Sequence, residues 1–493
     1  DLVAPRADFR GALYQLLIGL LQTAFAQSGR KEWKSRWETP PDASTLTEAF
    51  APFDPAFYID APVGTPAFMQ DLELVEGEQK PVSSLLIDAP GGNTIKKNQD
   101  IFVKRGGVEA LSVYMAALAL FTLQINAPSG GQGHRVSLRG GGPLTTLILP
   151  PEGARYGTLW HRLWLNVMTL DEFTSLPGDH RKTDLDAIFP WMATTPTSEK
   201  PGTEIFPQQV NPLQAFWSMP RRIRLHFEAG ASVCDVSGEQ VGVKVAHYAT
   251  RNFGINYAGS WMHPLTPYAL EEGQEPRSIK AQPGGLGYRD WLGLIVPGQK
   301  GKSIREPAAV VQRYSDRRNW IEDADFHPRL WAFGYDTDNM KARCWYETEM
   351  PFFNLESEQR DDVAGYVQKM IDGAESALWT LKSSLKKAWF DRPADAKGDM
   401  SFVDANFWSA TEIEFYRLLG NIISHLEVEE RIDALLENWR QILRDQAQTI
   451  FDQYALSSFN EDGDLKRAVL ARDGKKGLLH YLDKDKAIRV LSA

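Results

Sequence analysis

The stretch "MPRRIRLHFE", residues 219–228, sets Ile223, Leu225 and Phe227 in alternation with Arg222, Arg224 and His226. Period-two alternation is the signature of a half-buried strand. Further strand-like text follows in "VGVKVAHY" (241–248), "INYAGSW" (255–261) and "LWAFGY" (330–335), so the middle of the chain contains β structure. Upstream, "DFRGALYQLLIGLLQTAF" (8–25) places Leu13, Leu16, Leu17, Leu20 and Leu21 at helical spacing, and a second apolar helix is expected over residues 109–124. Downstream of Glu356 the pattern turns helical. Tyr366, Val367, Met370, Ile371, Leu378, Leu381 and Leu385 form one stripe, and Ile432, Leu435, Leu436, Trp439, Ile442 and Leu443 form another, with Pro393 breaking the first long helix from the next. The fold expected is α+β: a mixed α/β N-terminal domain over residues 1–355, followed by a C-terminal four-helix bundle over residues 356–493.

The chain has 493 residues, a formal net charge of -10, 15 Trp, 15 Tyr and 24 Phe. That is too long for one core and rich enough in apolar residues for well-buried domains. Cys234 and Cys344 are its two cysteines, too few for a disulfide framework or a thiolate cluster, and a reducing cytoplasm suits them. The apolar runs fall short of the ~20 residues of a membrane span. The sequence opens on Asp1 rather than Met, so an N-terminal segment is expected to be missing. The acidic balance argues against coating nucleic acid through an overall field, which leaves local basic clusters such as Arg221, Arg222 and Arg224, or Lys382, Lys386 and Lys387.

After the second apolar helix comes "NAPSGGQGHRVSLRGGGPLTTL" (126–147), a glycine-rich loop carrying basic and hydroxyl side chains. Such bare backbone either turns tightly or touches something closely. The loop lacks the Lys of a phosphate-cradling P-loop. The chain contains no HExxH, no GxSxG and no His or Cys pair at metal-ligand spacing, so neither catalytic residues, nor a metal, nor a cofactor is assigned. The many aromatics leave one enzyme alternative, a cytoplasmic hydrolase with an aromatic-lined cleft. A protein-only scaffold whose basic spots bind nothing is a third reading.

The glycine loop, with "AFMQD" (67–71), "IFVKRGGVEAL" (101–111), "FWSMPRRIRL" (216–225), "WMHPLTPY" (261–268) and "GYDTDNMKARCWYE" (334–347), resembles the CasA family, the large subunits of the type I-E CRISPR complex Cascade. The separated blocks occur in the right order from the first helix to the C-terminal bundle. The resemblance implies a cytoplasmic, non-catalytic DNA reader. Guide RNA reads sequence by base pairing, while this subunit recognises a short flanking motif, the PAM, on double-stranded DNA, starts strand separation and helps recruit the helicase-nuclease. Its implied partners are the other Cascade subunits, guide RNA, target DNA and that nuclease.

The resemblance also implies residue roles. The loop Ser129, Gly130, Gly131, Gln132 and Gly133 approaches the PAM from the minor groove, which is about 6 Å wide and offers a degenerate pattern. His134 and Arg135 follow it as phosphate contacts. A hairpin tip at Asn339, Met340 and Lys341 wedges into the duplex beside the PAM. A Gln often found at that tip is absent from this sequence. The family's basic finger falls on "YATRNFGINY" (248–257), where Asn252 stands at the aligned position and Arg251 is the adjacent candidate. In "NQDIFVKRGG" (98–107), Phe102 is the aromatic anchor and Lys104 and Arg105 the phosphate partners for the 5′ end of the guide RNA.

Overall fold

The computed structural model describes residues 2–100, 105–153, 155–323, 325–338, 341–457 and 464–492. The chain divides into two units, one of residues 1–281 and 307–349, the other of residues 282–306 and 350–493. The architecture is α+β with a helical C-terminal region, as the periodicities led one to expect.

In the first unit the strand Arg222–Val233 forms a long antiparallel hairpin with Gln240–Arg251, in a register running from Arg222 opposite Arg251 to Val233 opposite Gln240. Glu78–Pro81 and Leu111–Ser112 also pair with Gln240–Arg251. The alternation of residues 219–228 predicts arginines on an open face. Instead Arg222, Ile223, Arg224 and Leu225 are all buried, because the segment before residue 72 covers the second face. Arg222 Nε pairs with Asp71 at 2.7 Å, and Arg224 Nη2 donates to the carbonyl oxygen of Pro62 at 2.8 Å. Gln70 completes the seam, its Oε1 accepting from Leu225 N at 2.9 Å. Two sequence blocks about 150 residues apart thus satisfy one another's buried polar groups, which burial demands.

Ser112 caps the apolar helix Val113–Asn126, its hydroxyl accepting from Met115 N at 3.1 Å, and most of that helix is buried. A second sheet joins Thr145–Leu149 to Arg329–Asp338, whose other neighbour is Lys341–Pro351. Aromatic residues fill the spaces between layers. Trp33 stacks on Trp37 with centroids 5.7 Å apart, and Trp33 Nε1 donates to the carbonyl of Val167 at 2.9 Å. Eight tryptophans, Trp33, Trp37, Trp164, Trp191, Trp217, Trp291, Trp331 and Trp439, are fully buried, so they build cores rather than a cleft lining. Each such ring contributes roughly 4–6 kcal/mol of gross transfer free energy.

The second unit is built on Arg360–Trp389, Ser401–Ile423 and Glu429–Asp452, with Leu465–Asp473 held to the first of these by Arg467 Nε donating to the carbonyl of Ala388 at 3.0 Å. Val367, Met370, Leu381, Leu385, Leu436, Trp439 and Leu443 are buried, while Tyr366, Leu435 and Ile442 edge the stripes. The unit also takes in the earlier segment 282–306. Tyr288 from that segment stacks on Phe415 at 4.3 Å, lies edge-on to Trp408 at 5.1 Å and shares a hydrogen bond with Thr411 Oγ1 at 2.9 Å. Among the described residues no helix is long and apolar enough to cross a membrane, and no group of three or more His, Cys, Asp or Glu could hold a metal ion.

Candidate nucleic-acid interface

The helix Val113–Asn126 ends beside the long hairpin, and the chain then makes an excursion from Ala127 to Gly142 before entering the second sheet. The base of the excursion is closed by Ser137 N donating to the carbonyl of Ala127 at 3.0 Å and Gly142 N to that of Asn126 at 3.2 Å. Arg139 anchors it inward. Its guanidinium is buried and reaches Gln15 Oε1 at 2.8 Å, Thr145 Oγ1 and Thr266 Oγ1 at 3.0 Å each, and the carbonyl of Ile125 at 3.2 Å. Burial without a carboxylate partner pushes its pKa down to about 10.

The outer part of the excursion is exposed: Ser129, Gly130, Gly131 and Gln132 face solvent, and Gly133 and His134 are half-buried. Gly131 has φ +90° and Gly133 φ +76°, a left-handed conformation that favours glycine. Nothing lies within 4 Å of where a Gly131 side chain would begin, whereas a Cβ on Gly133 would meet Asn252 Cβ at 2.9 Å, so within the loop it is Gly131 that stands open. The loop is fixed from one side by the segment after Gln240–Arg251. Asn252 Nδ2 donates to the carbonyl of Gln132 at 2.9 Å, and Phe253 N to that of Gly133 at 2.7 Å. This brings Arg251, exposed at the strand end, to the residues next to the loop.

The basic residues around the loop differ in how committed they are. Arg135 is half-buried, its Nε donating to Ser198 Oγ at 2.7 Å and its Nη2 to the Ser198 carbonyl at 2.9 Å. The His134 pKa is lowered by burial first and then by Arg221 and Lys80, against a smaller opposing influence from Glu78. Arg221 and Thr337 escaped the sequence reading as parts of this site, and Asn252, placed there at the aligned position of the basic finger, proves to fix the loop instead. One signal pointed to Arg221: Gln124, a long polar side chain inside an apolar helix, needs buried partners and finds them in the Arg221 backbone.

The hairpin of Arg329–Asp338 and Lys341–Pro351 docks on the returning arm of the same excursion. Thr337 Oγ1 approaches the carbonyl of Gly141 at 3.4 Å, and a Cβ on Gly142 would stand 2.6 Å from Thr337 Cγ2. Arg343 forks onto Asp336, with Nε and Nη2 at 3.0 and 2.7 Å from its oxygens. Lys341 is exposed at the start of the returning strand, and Asn339 and Met340 lie outside the described residues. So do Phe102 and Lys104. Arg105 is exposed and bonded to Asp100, to Asn98 Oδ1 at 2.9 Å and to the carbonyl of Ile95 at 2.9 Å. In the second unit, Lys382 pairs with Asp404 at 2.7 Å, and Lys386 and Lys387 each donate to a main-chain carbonyl, of Ala396 and Lys476, at 3.1 Å.

A family model for CRISPR-associated protein Cse1 matches residues 1–450. The fold is similar to that of Thermobifida fusca Cse1, with a TM-score of 0.68 at 17% identity over 100% of this chain and 92% of that one. Thermus thermophilus CasA gives a TM-score of 0.62 at 17% identity, covering 100% of this chain and 92% of that chain. A chain of a structure described as a CRISPR RNA-guided surveillance complex gives 0.59 at 15% identity, covering 100% and 92%.

Proposed function

Because the chain belongs to the CRISPR-associated Cse1 family, we propose that it is the large subunit of a Cascade-type RNA-guided surveillance complex and senses the PAM on double-stranded DNA. In this reading Ser129–Gly133 slides into the minor groove, and Arg251 and His134 flank it. The hairpin tip at Asn339, Met340 and Lys341 parts the duplex next to it. Arg135 supports the loop through Ser198 and reaches phosphate only by leaving that bond. Phe102, Lys104 and Arg105 meet guide RNA, and the subunit works in the cytoplasm without chemistry of its own, helping to recruit the helicase-nuclease. Partnership with other Cascade subunits is supported by the likeness to a chain of a surveillance complex.

The observation that carries the reading is the loop tip: exposed and side-chain-poor from Ser129 to Gln132, with open space beside Gly131, and held on the same excursion that seats the hairpin. A narrow groove admits such backbone and rejects bulk. Bending or parting the duplex beside it costs a few kcal/mol, which interactions with the distorted DNA offset. Against the hydrolase alternative stands the burial of eight of the 15 tryptophans in cores, where they line no cleft. A gel shift on the reconstituted complex tests the assignment. Gly131→Val with Gly133→Val should abolish PAM-dependent duplex binding and leave guide-RNA assembly intact; an unchanged shift would defeat it.

A further inference from the structure

Arg221 lies directly beneath the loop. Its Nη2 donates to the carbonyl of Pro128 at 2.5 Å, and a Cβ on Gly130 would stand 2.7 Å from its Nη1 and 2.6 Å from the Cβ of His134. The backbone of Arg221 is itself fixed. Its N–H donates to Gln124 Oε1 at 2.9 Å, while Gln124 Nε2 donates to the carbonyls of Arg221 at 3.0 Å and Met69 at 3.2 Å. The last turn of the apolar helix therefore holds Arg221, and Arg221 holds the start of the loop. Resting on the reading of Ser129–Gly133 as the duplex-sensing element, we propose that Arg221 is a positioning residue that sets how far this ribbon projects. Gly130 is then bare because the His134 Cβ and the guanidinium together occupy the space a side chain would need.

The alternative role for a cation here is to bind phosphate, and the geometry separates the two. The Arg221 side chain is half-buried with Nε enclosed and unbonded, and it points at the main chain from below. Burial pushes its pKa down to about 10, against a smaller opposing influence from Tyr248, so it remains a cation at neutral pH, and its charge acts on His134. A group acting from beneath changes discrimination between flanks. A group that neutralises phosphate changes the salt dependence instead, by about one unit of slope for each phosphate neutralised.

The test uses the assembled complex and two duplexes, one with and one without the PAM. Arg221→Met should weaken binding to the PAM duplex about tenfold, the worth of a charge-assisted bond, and leave binding to the other duplex and the salt slope unchanged. Arg221→Lys should recover most of that affinity. Gly130→Ala, whose Cβ would press on both the guanidinium and the His134 Cβ, should also weaken PAM binding, and Arg221→Gln, which keeps a polar side chain without the charge, covers the case in which Arg221→Met does not assemble. Unchanged PAM binding in Arg221→Met, Arg221→Gln or Gly130→Ala overturns the proposal, as does a smaller salt slope. If Gly131→Val with Gly133→Val is also silent, the loop reading falls with it; if that pair still abolishes binding, only the role of Arg221 fails.

Discussion

Asn252 donates its side-chain N–H to the carbonyl oxygen of Gln132 at 2.9 Å, across 120 residues of sequence. The long hairpin ends at Arg251, so this bond fastens the exposed loop to a rigid sheet. A loop so fastened has less ordering left to do on binding.

Removing that bond should loosen the loop without unfolding the chain. Asn252→Ala is expected to lower PAM-dependent affinity about fivefold, since an intramolecular hydrogen bond is worth about 1 kcal/mol. Asn252→Asp should be worse, because an ionised carboxylate sets an acceptor against the Gln132 carbonyl. Binding titrations paired with thermal melts check both, with the melting temperature nearly unchanged in each.

Two glycines of the same excursion should separate stability from binding. Gly142 has φ +62°, and a Cβ there would meet Thr337 Cγ2 at 2.6 Å and the Tyr335 carbonyl at 3.0 Å, so Gly142→Ala should cost about 3 kcal/mol. Gly131→Ala meets nothing and should cost only about 1–2 kcal/mol of backbone strain. Urea denaturation compares them directly.

Acid should destabilise the protein through its histidines. Burial holds His263 well below the ordinary histidine value of 6.5, with Arg139 adding to the effect, and its Nδ1 is already occupied as acceptor for Leu265 N at 3.1 Å. His161 and His134 are lowered too, by burial first. Each binds its proton more readily in the unfolded chain, so their stabilisation is fully present above 6.5 and is lost as pH falls below that value. Urea midpoints should drop between about pH 7 and pH 5, and His134→Gln should narrow the drop.

The segment 282–306 should behave as part of the helical unit. Tyr288→Ala removes a fully buried ring from Phe415, Trp408 and Trp439 and should cost about 3–5 kcal/mol. Tyr288→Phe loses only the bond to Thr411, about 1 kcal/mol. Hydrogen exchange should place the Ala defect in Ser401–Ile423 and Glu429–Asp452.

Local periodicity made most of the elements legible, but the strand-like text at 255–261 forms no strand, only an isolated bridge from Tyr257 to Ile205. The stripes at Val367 to Leu385 and Ile432 to Leu443 mark helices whose buried faces are the ones named, and the alternation at Ile223 to Phe227 marks a strand. Period says nothing of what covers the second face. Arg222 and Arg224 read as solvent-facing until Asp71 and the Pro62 carbonyl are seen to enclose them. Tyr288 joining distant helices, and Asn252 meeting Gln132, are likewise long-range pairings that no window of sequence contains. The glycine loop was visible as composition. Its division into an open tip at Gly131 and a packed return at Gly142 became visible only in three dimensions.

The most direct measurement places base analogues in the PAM and titrates the assembled complex. Inosine for guanine, or 2,6-diaminopurine for adenine, changes the minor-groove edge and not the major, with opposite effects on pairing strength, whereas 7-deazapurines alter only the major groove. If Ser129–Gly133 senses the duplex from the minor groove, affinity shifts with the first pair of analogues, ignores the second, and the response disappears in Gly131→Val. Sensitivity to 7-deazapurines alone, or a response that Gly131→Val leaves intact, contradicts the account.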